Sequence, residues 1–200
     1  MTTKPRIGII LGTTRPARFA DKPANWLLEL AGRREDANFE IVDLRDYPMP
    51  FFEEDRSPAF ATPTHPDVVR WAHKMAELDG YIFVTAEYNH SISGVLKNAM
   101  DFLQPEVWRK PASFLGYGGT GAARAVEHLR GILAEMQVAT LKFTVHVGMV
   151  EFLGVARDGK SIGDFPYLVD SANKMLDDIV WWSRTLAAGR QETERETEAA

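Results

Sequence analysis

Two hundred residues, 45% of them hydrophobic and 26% charged, make a chain long enough for one well-packed core and short for two. The net charge of −5 gives no general attraction to nucleic acid or an anionic membrane, and the absence of cysteine excludes disulfides, thiol catalysis and thiolate metal sites. No apolar run reaches membrane-spanning length, and Met1 to Arg6 is polar without a signal-peptide pattern, so the cytoplasm is the expected compartment.

The chain alternates strands and helices from its start. Arg6–Leu11 is an apolar strand that runs into Gly12-Thr13-Thr14-Arg15-Pro16. Trp26, Leu27, Leu30 and Ala31 then mark a helical stripe, followed by a strand at Phe39–Leu44. Residues 45–66 form a long connection with five prolines and the aromatics Tyr47, Phe51, Phe52 and Phe60. Connections this long serve function or contact, and a subunit interface is preferred over an Ω-like surface excursion. Val68, Ala72, Met75 and Ala76 mark the second helix, and Gly80–Thr85 the third strand. A helix over Val95, Leu96, Ala99, Met100 and Leu103 follows, then a strand at Ala112–Gly116. Val126, Leu129, Ile132, Leu133 and Met136 mark a fourth helix.

Leu141–Val147 alternates apolar and polar residues, the pattern of a half-buried edge strand. Leu168, Ala172, Met175, Leu176, Ile179 and Val180 mark the last helix. Residues 190–200 are rich in Glu, Thr and Arg and are expected to be a disordered tail after a single domain, 1–189. The first, third and fourth strands are near-continuous apolar runs, as strands buried on both faces are. The expected fold is α/β: a flavodoxin-like three-layer α/β/α sandwich on a five-stranded parallel sheet of order 2-1-3-4-5. Ligands bind such sheets beyond the carboxyl ends of the strands at the switch between strands 1 and 3.

Three loops at those ends carry polar or small residues. In Gly12–Phe19, the hydroxyls of Thr13 and Thr14, the guanidinium groups of Arg15 and Arg18, and the positive end of the next helix suit a phosphate. The alternative is a capped turn with solvated arginines. Within this first loop neither GxGxxG nor GxxxxGK[ST] occurs, which argues against a dinucleotide fingerprint or a triphosphate-hydrolysing loop there. In Ala86–Gly94, Glu87, Tyr88 and Asn89 can fix the rim of a planar heterocycle, while Ser93 reads as a helix N-cap. In the third loop, Tyr117 precedes Gly118 and Gly119, whose N–H groups can stabilise negative charge on a reduced ring. The alternative is a tight strand-to-helix turn. The five histidines lack metal-ligand spacing, so no metal site is expected.

The segments GTTRPAR, AEYNHSISGVLKNAMD and YGGTGAARA resemble the NADPH-dependent FMN reductase family, whose patterns are approximately GSTRPGR, PEYNxSxPGxLKNAxD and YGGxxGGxRA. The similarity covers roughly residues 6–150. The resemblance implies an enzyme with FMN as cofactor and NADPH or NADH as reductant. Phosphate contacts fall on Thr13, Arg15 and Arg18, and ring contacts on Glu87, Tyr88, Asn89, Tyr117, Gly118 and Gly119. No side chain is assigned the chemistry, which the flavin carries. The acceptor would be a quinone, free flavin or azo compound, and the assembly a homodimer or homotetramer. Ala86 and Ser93 stand where the family has proline, which is expected to loosen the ring-binding loop. The rival readings are a flavodoxin-like electron carrier and a flavin-free binding or sensor protein on the same fold.

Overall fold

The computed structural model describes residues 4–198. Among these, five parallel strands pair in the order β2-β1-β3-β4-β5: β1 Arg6–Leu11, β2 Asn38–Asp43, β3 Gly80–Ala86, β4 Pro111–Tyr117 and β5 Ala139–Val147. This is the expected order. All seven residues of β3 and all seven of β4 are buried, so both faces of the central strands are covered. Helices α1 (Asp21–Ala31) and α6 (Pro166–Glu198) build one face, where Leu27, Leu168, Met175 and Ile179 meet Ile9, Val84 and Leu115. Helices α2 (Pro66–Glu77), α3 (Gly94–Asp101) and α4 (Ala123–Glu135) build the other, where Trp71, Met75, Leu96 and Leu129 meet Ile10, Phe83 and Phe114. Polar groups inside this second core are satisfied: Trp71 Nε1 donates to Ala99 O at 2.8 Å, and the Tyr81 hydroxyl to Met75 O at 2.8 Å.

Three features differ from the sequence expectation. A helix α5, Met149–Arg157, follows β5 directly. Its sequence MVEFLGVAR is apolar without a clear stripe, so periodicity does not reveal it. In β5, Phe143 is exposed although Leu141 and Val145 are buried, because the register against β4 shifts between Ala112 and Phe114 and breaks the alternation. Finally, α6 continues to Glu198, so residues 190–198 are helical where a disordered tail was expected. Arg190 anchors this stretch through Asp79 and Arg109 O, both at 2.9 Å, and the Glu, Gln and Arg beyond it are good helix formers that extend a helix the core has already nucleated. Ala199 and Ala200 lie outside the described residues.

The proline-rich connection between β2 and α2 crosses α3, where Asn98 holds it. The Asn98 amide donates to Pro50 O at 2.7 Å and accepts from Phe52 N at 2.9 Å. Phe51 and Phe60 stand exposed on it.

Candidate functional site

The loops after β1, β3 and β4 meet at the carboxyl ends of the sheet, held by bonds from one to the next. Gly12 N donates to Val84 O at 3.0 Å, and a Cβ on Gly12 would come within 2.8 Å of Leu96 Cδ2 and 3.2 Å of Val84 O, so a larger residue would have to displace the Leu96 side chain. The Ser93 hydroxyl donates to Gly12 O while accepting from Leu96 N at 3.2 Å. Ser93 therefore caps α3 and ties the first loop to the second at once. The loosening expected from the lost proline is offset by this pair of bonds. Tyr88 and Ser91 exchange backbone bonds at 2.9 and 3.1 Å across Asn89 (φ 49°) and His90 (φ 74°), which makes a tight turn with two left-handed residues. Asparagine tolerates that conformation well.

The predicted residues fall into two groups. Thr13, Arg15, Tyr88, Tyr117, Gly118 and Gly119 come together. The Arg15 guanidinium lies 5.9 Å from the centre of the Tyr88 ring. Phe19, at the end of the first loop, packs on Tyr117 with centroids 5.3 Å apart. The Thr13 and Tyr117 hydroxyls are buried neighbours, and neither has a hydrogen-bond partner of normal geometry. Burial pushes the Tyr117 phenol up to about 12 although Thr13 draws it down, so it is a neutral donor at any ordinary pH. Gly118 has φ +136°, and a Cβ there would meet nothing within 4 Å, so open space faces the loop at that point.

Arg18, Glu87 and Asn89 behave differently. Arg18 is buried, and its guanidinium is occupied by Asp21, Asp43 and Thr13 O, the last at 2.7 Å. It braces the first loop and has no donor left for a ligand. The Glu87 carboxylate, with its side chain 7% exposed, is paired with Arg124 and accepts from Thr120 Oγ1 at 3.0 Å. Burial raises its pKa, but Arg124 and Thr120 outweigh burial and hold it below the usual range. Glu87 thus clasps the second loop to the third by its side chain. Asn89 is exposed at the tip of the turn. Of the two glycine N–H groups expected to face a reduced ring, that of Gly118 is taken by Val147 O at 3.1 Å.

Sequence reasoning missed Asp43, Arg45 and Arg124. Arg45 reaches Arg15 O and Pro16 O, backbone atoms that no pattern advertises. Asp43, a carboxylate ending the strand beside β1, was the readable signal. Among the described residues no group of three metal-ligating side chains occurs, and no helix is long and apolar enough to cross a membrane.

Residues 5–151 match the family model of the NADPH-dependent FMN reductases. The chain belongs to that family. An NAD(P)H-dependent FMN reductase of Schizosaccharomyces pombe is 30% identical over 192 residues, 84% of this chain and 92% of the relative. A 2-hydroxy-1,4-benzoquinone reductase of a Burkholderia species is 33% identical over 144 residues, covering 68% and 74% of the two chains. Among solved structures, FerB of Paracoccus denitrificans, a flavoenzyme NAD(P)H:(acceptor) oxidoreductase, superposes with a TM-score of 0.68 over 90% of this chain and 98% of its own, at 23% identity. That likeness is one of fold. Family membership makes FMN the cofactor against which the loops are to be tested. They fit it: two buried hydroxyls without a partner of normal geometry among the described residues, an exposed arginine near the Tyr88 ring and open space at Gly118 are what a phosphorylated planar ring requires.

Proposed function

We propose that the three loops hold FMN, and that the chain uses it as an NAD(P)H-dependent oxidoreductase acting on a quinone or free flavin. The single observation carrying this is the pair of buried, neighbouring hydroxyls of Thr13 and Tyr117, which find no hydrogen-bond partner of normal geometry among the described residues. A buried hydroxyl without a partner costs about 1–3 kcal/mol, and a ligand oxygen removes that cost. Thr13 and Arg15 take the phosphate end. Tyr88, Asn89, Tyr117, Gly118 and Gly119 border the ring. Arg18 acts only on the shape of the phosphate loop, and Glu87 on the spacing of the two ring loops. FMN, when bound, accepts a hydride from the nicotinamide and delivers reducing equivalents to the acceptor, so the chain needs no acid–base pair of its own.

The copies assemble as a homodimer or homotetramer in the cytoplasm. Support for the assembly is an open groove of about 1120 Å³ on the α3–α4 face, where Phe52 and Ile132 are partly exposed among Lys97, Asp101, Glu127 and Glu135. The test of the function is the visible spectrum of the purified protein, titrated with FMN and then with NADPH under anaerobic conditions. Saturable flavin binding followed by bleaching is expected. No binding would sink the reading and leave a flavodoxin-like scaffold with another use.

A further inference from the structure

The five histidines fall on separate elements, yet two of them meet in space. His90 stands in the turn after β3 and His128 on α4, with ring centres 5.6 Å apart and planes tilted by 55°. His90 owes its place to the backbone: the turn between Tyr88 and Ser91 carries it at φ 74°, in the left-handed region that few side chains adopt. His128 is held by Ser91. Its Nδ1 lies 3.1 Å from Ser91 Oγ, and with the hydroxyl accepting from that nitrogen, Nε2 keeps its lone pair free. Both histidines are exposed, so the pair is open to solutes. The groove beside it is lined by Ser91, Lys97, Asp101, Glu127, His128 and Glu135, an excess of carboxylates that draws positive charge.

We propose that His90 and His128 form a two-imidazole site for a divalent transition-metal ion of the Zn²⁺, Ni²⁺ and Cu²⁺ class. An ion held by two ring nitrogens at about 2.0–2.1 Å from each sets the ring centres roughly 5–6 Å apart, which is the separation present. A ligating histidine commonly gives its second nitrogen to an oxygen, and Ser91 is that partner for His128. Imidazole suits these ions, whereas Mg²⁺ and Ca²⁺ demand oxygen ligands. No third metal-ligating side chain joins the pair among the described residues, so water fills the remaining positions and the ion exchanges instead of being locked in as a structural zinc is. When bound, it joins the turn that carries Tyr88 and Asn89 to α4. No sequence pattern announces the site, because its two members come from different elements. It stands independently of the flavin reading.

The test is calorimetric titration of the metal-free, full-length protein with Zn²⁺, beside the variants His90→Asn, His128→Gln and His73→Gln. Asparagine accepts the left-handed backbone and glutamine the helix, and both positions are exposed, so the fold is kept. His73, exposed on α2, stands for an ordinary surface imidazole. One ion per chain is expected in the wild type. Each variant of the pair should weaken binding at least tenfold, with His73→Gln within about twofold and a large excess of Mg²⁺ without effect. The Cu²⁺ form should show splitting from two coordinated nitrogens in its electron paramagnetic resonance spectrum, and from one in either pair variant. Zn²⁺ affinity that stays at the wild-type value in both pair variants would overturn the proposal. So would a wild-type Cu²⁺ spectrum with a single coordinated nitrogen. Neither readout uses FMN, so a failure of this site and a failure of the flavin reading are told apart.

Discussion

Arg15 and Arg18 are three residues apart and indistinguishable by type, yet their surroundings give them opposite roles. Arg15 is exposed and faces the Tyr88 ring; Arg18 is buried between two carboxylates. Arg15→Ala is expected to weaken FMN binding at least tenfold, by flavin fluorescence titration, with urea stability within about 0.5 kcal/mol. Arg18→Met should do the reverse first. It leaves Asp43 largely buried without its cation, and a loss of about 2–3 kcal/mol in the same urea experiment is expected. The sequence names both arginines because charge near a strand end is readable. It does not separate them, because Asp43 comes from a different strand. Ala122 is another residue whose meaning lies in its backbone. It stands in the left-handed region at φ 58°, where the family pattern has glycine, yet it is fully buried. Left-handed strain of about 1–2 kcal/mol opposes a buried methyl worth about 0.8 kcal/mol, and glycine adds its own entropy cost. Ala122→Gly is therefore expected to fall within about 0.5 kcal/mol of wild type by urea denaturation. The near-balance explains why alanine is tolerated there.

Between elements, the far end of the sheet contains a buried charge that no motif announces. Lys110, just before β4, donates to Met75 O at 3.0 Å and Ala76 O at 2.7 Å in the last turn of α2. Burial, with the Arg190 charge adding to it, lowers the Lys110 pKa to about 8. An unfolded lysine titrates near 10.4, so between these values the unfolded chain holds the extra proton. The contribution of this group to stability consequently rises with pH across that window, by of the order of 2 kcal/mol. Urea denaturation of wild type and Lys110→Met at pH 7.5 and 9.5 checks the sign: the difference between them should grow in favour of wild type. The elements themselves were legible where one face is apolar and the other polar, as in α2 and α4. They were illegible where both sides are apolar, as in α5, or where neither is, as in residues 190–198. In the first case periodicity vanishes, and in the second the helix is inherited from the packed part of α6.

At the scale of the molecule, strand order could be read because only a doubly wound sheet buries β1, β3 and β4 together. The assembly could not, since no periodicity marks the connection 45–66. Phe51 is 84% exposed there, and light scattering is expected to give a mass about two or four times 22.4 kDa. Phe51→Asp should move that mass toward the single chain, whereas an unchanged mass would remove the connection from the interface. One further consequence comes from Ser93, whose hydroxyl joins two loops through protein–protein bonds alone. A binding site already ordered by its own bonds has little loop rearrangement left to perform when a ligand arrives. Association should then follow a single exponential whose rate grows linearly with ligand concentration, without the plateau that a slow preceding isomerisation imposes. Time, and not only affinity, is set by that one side chain.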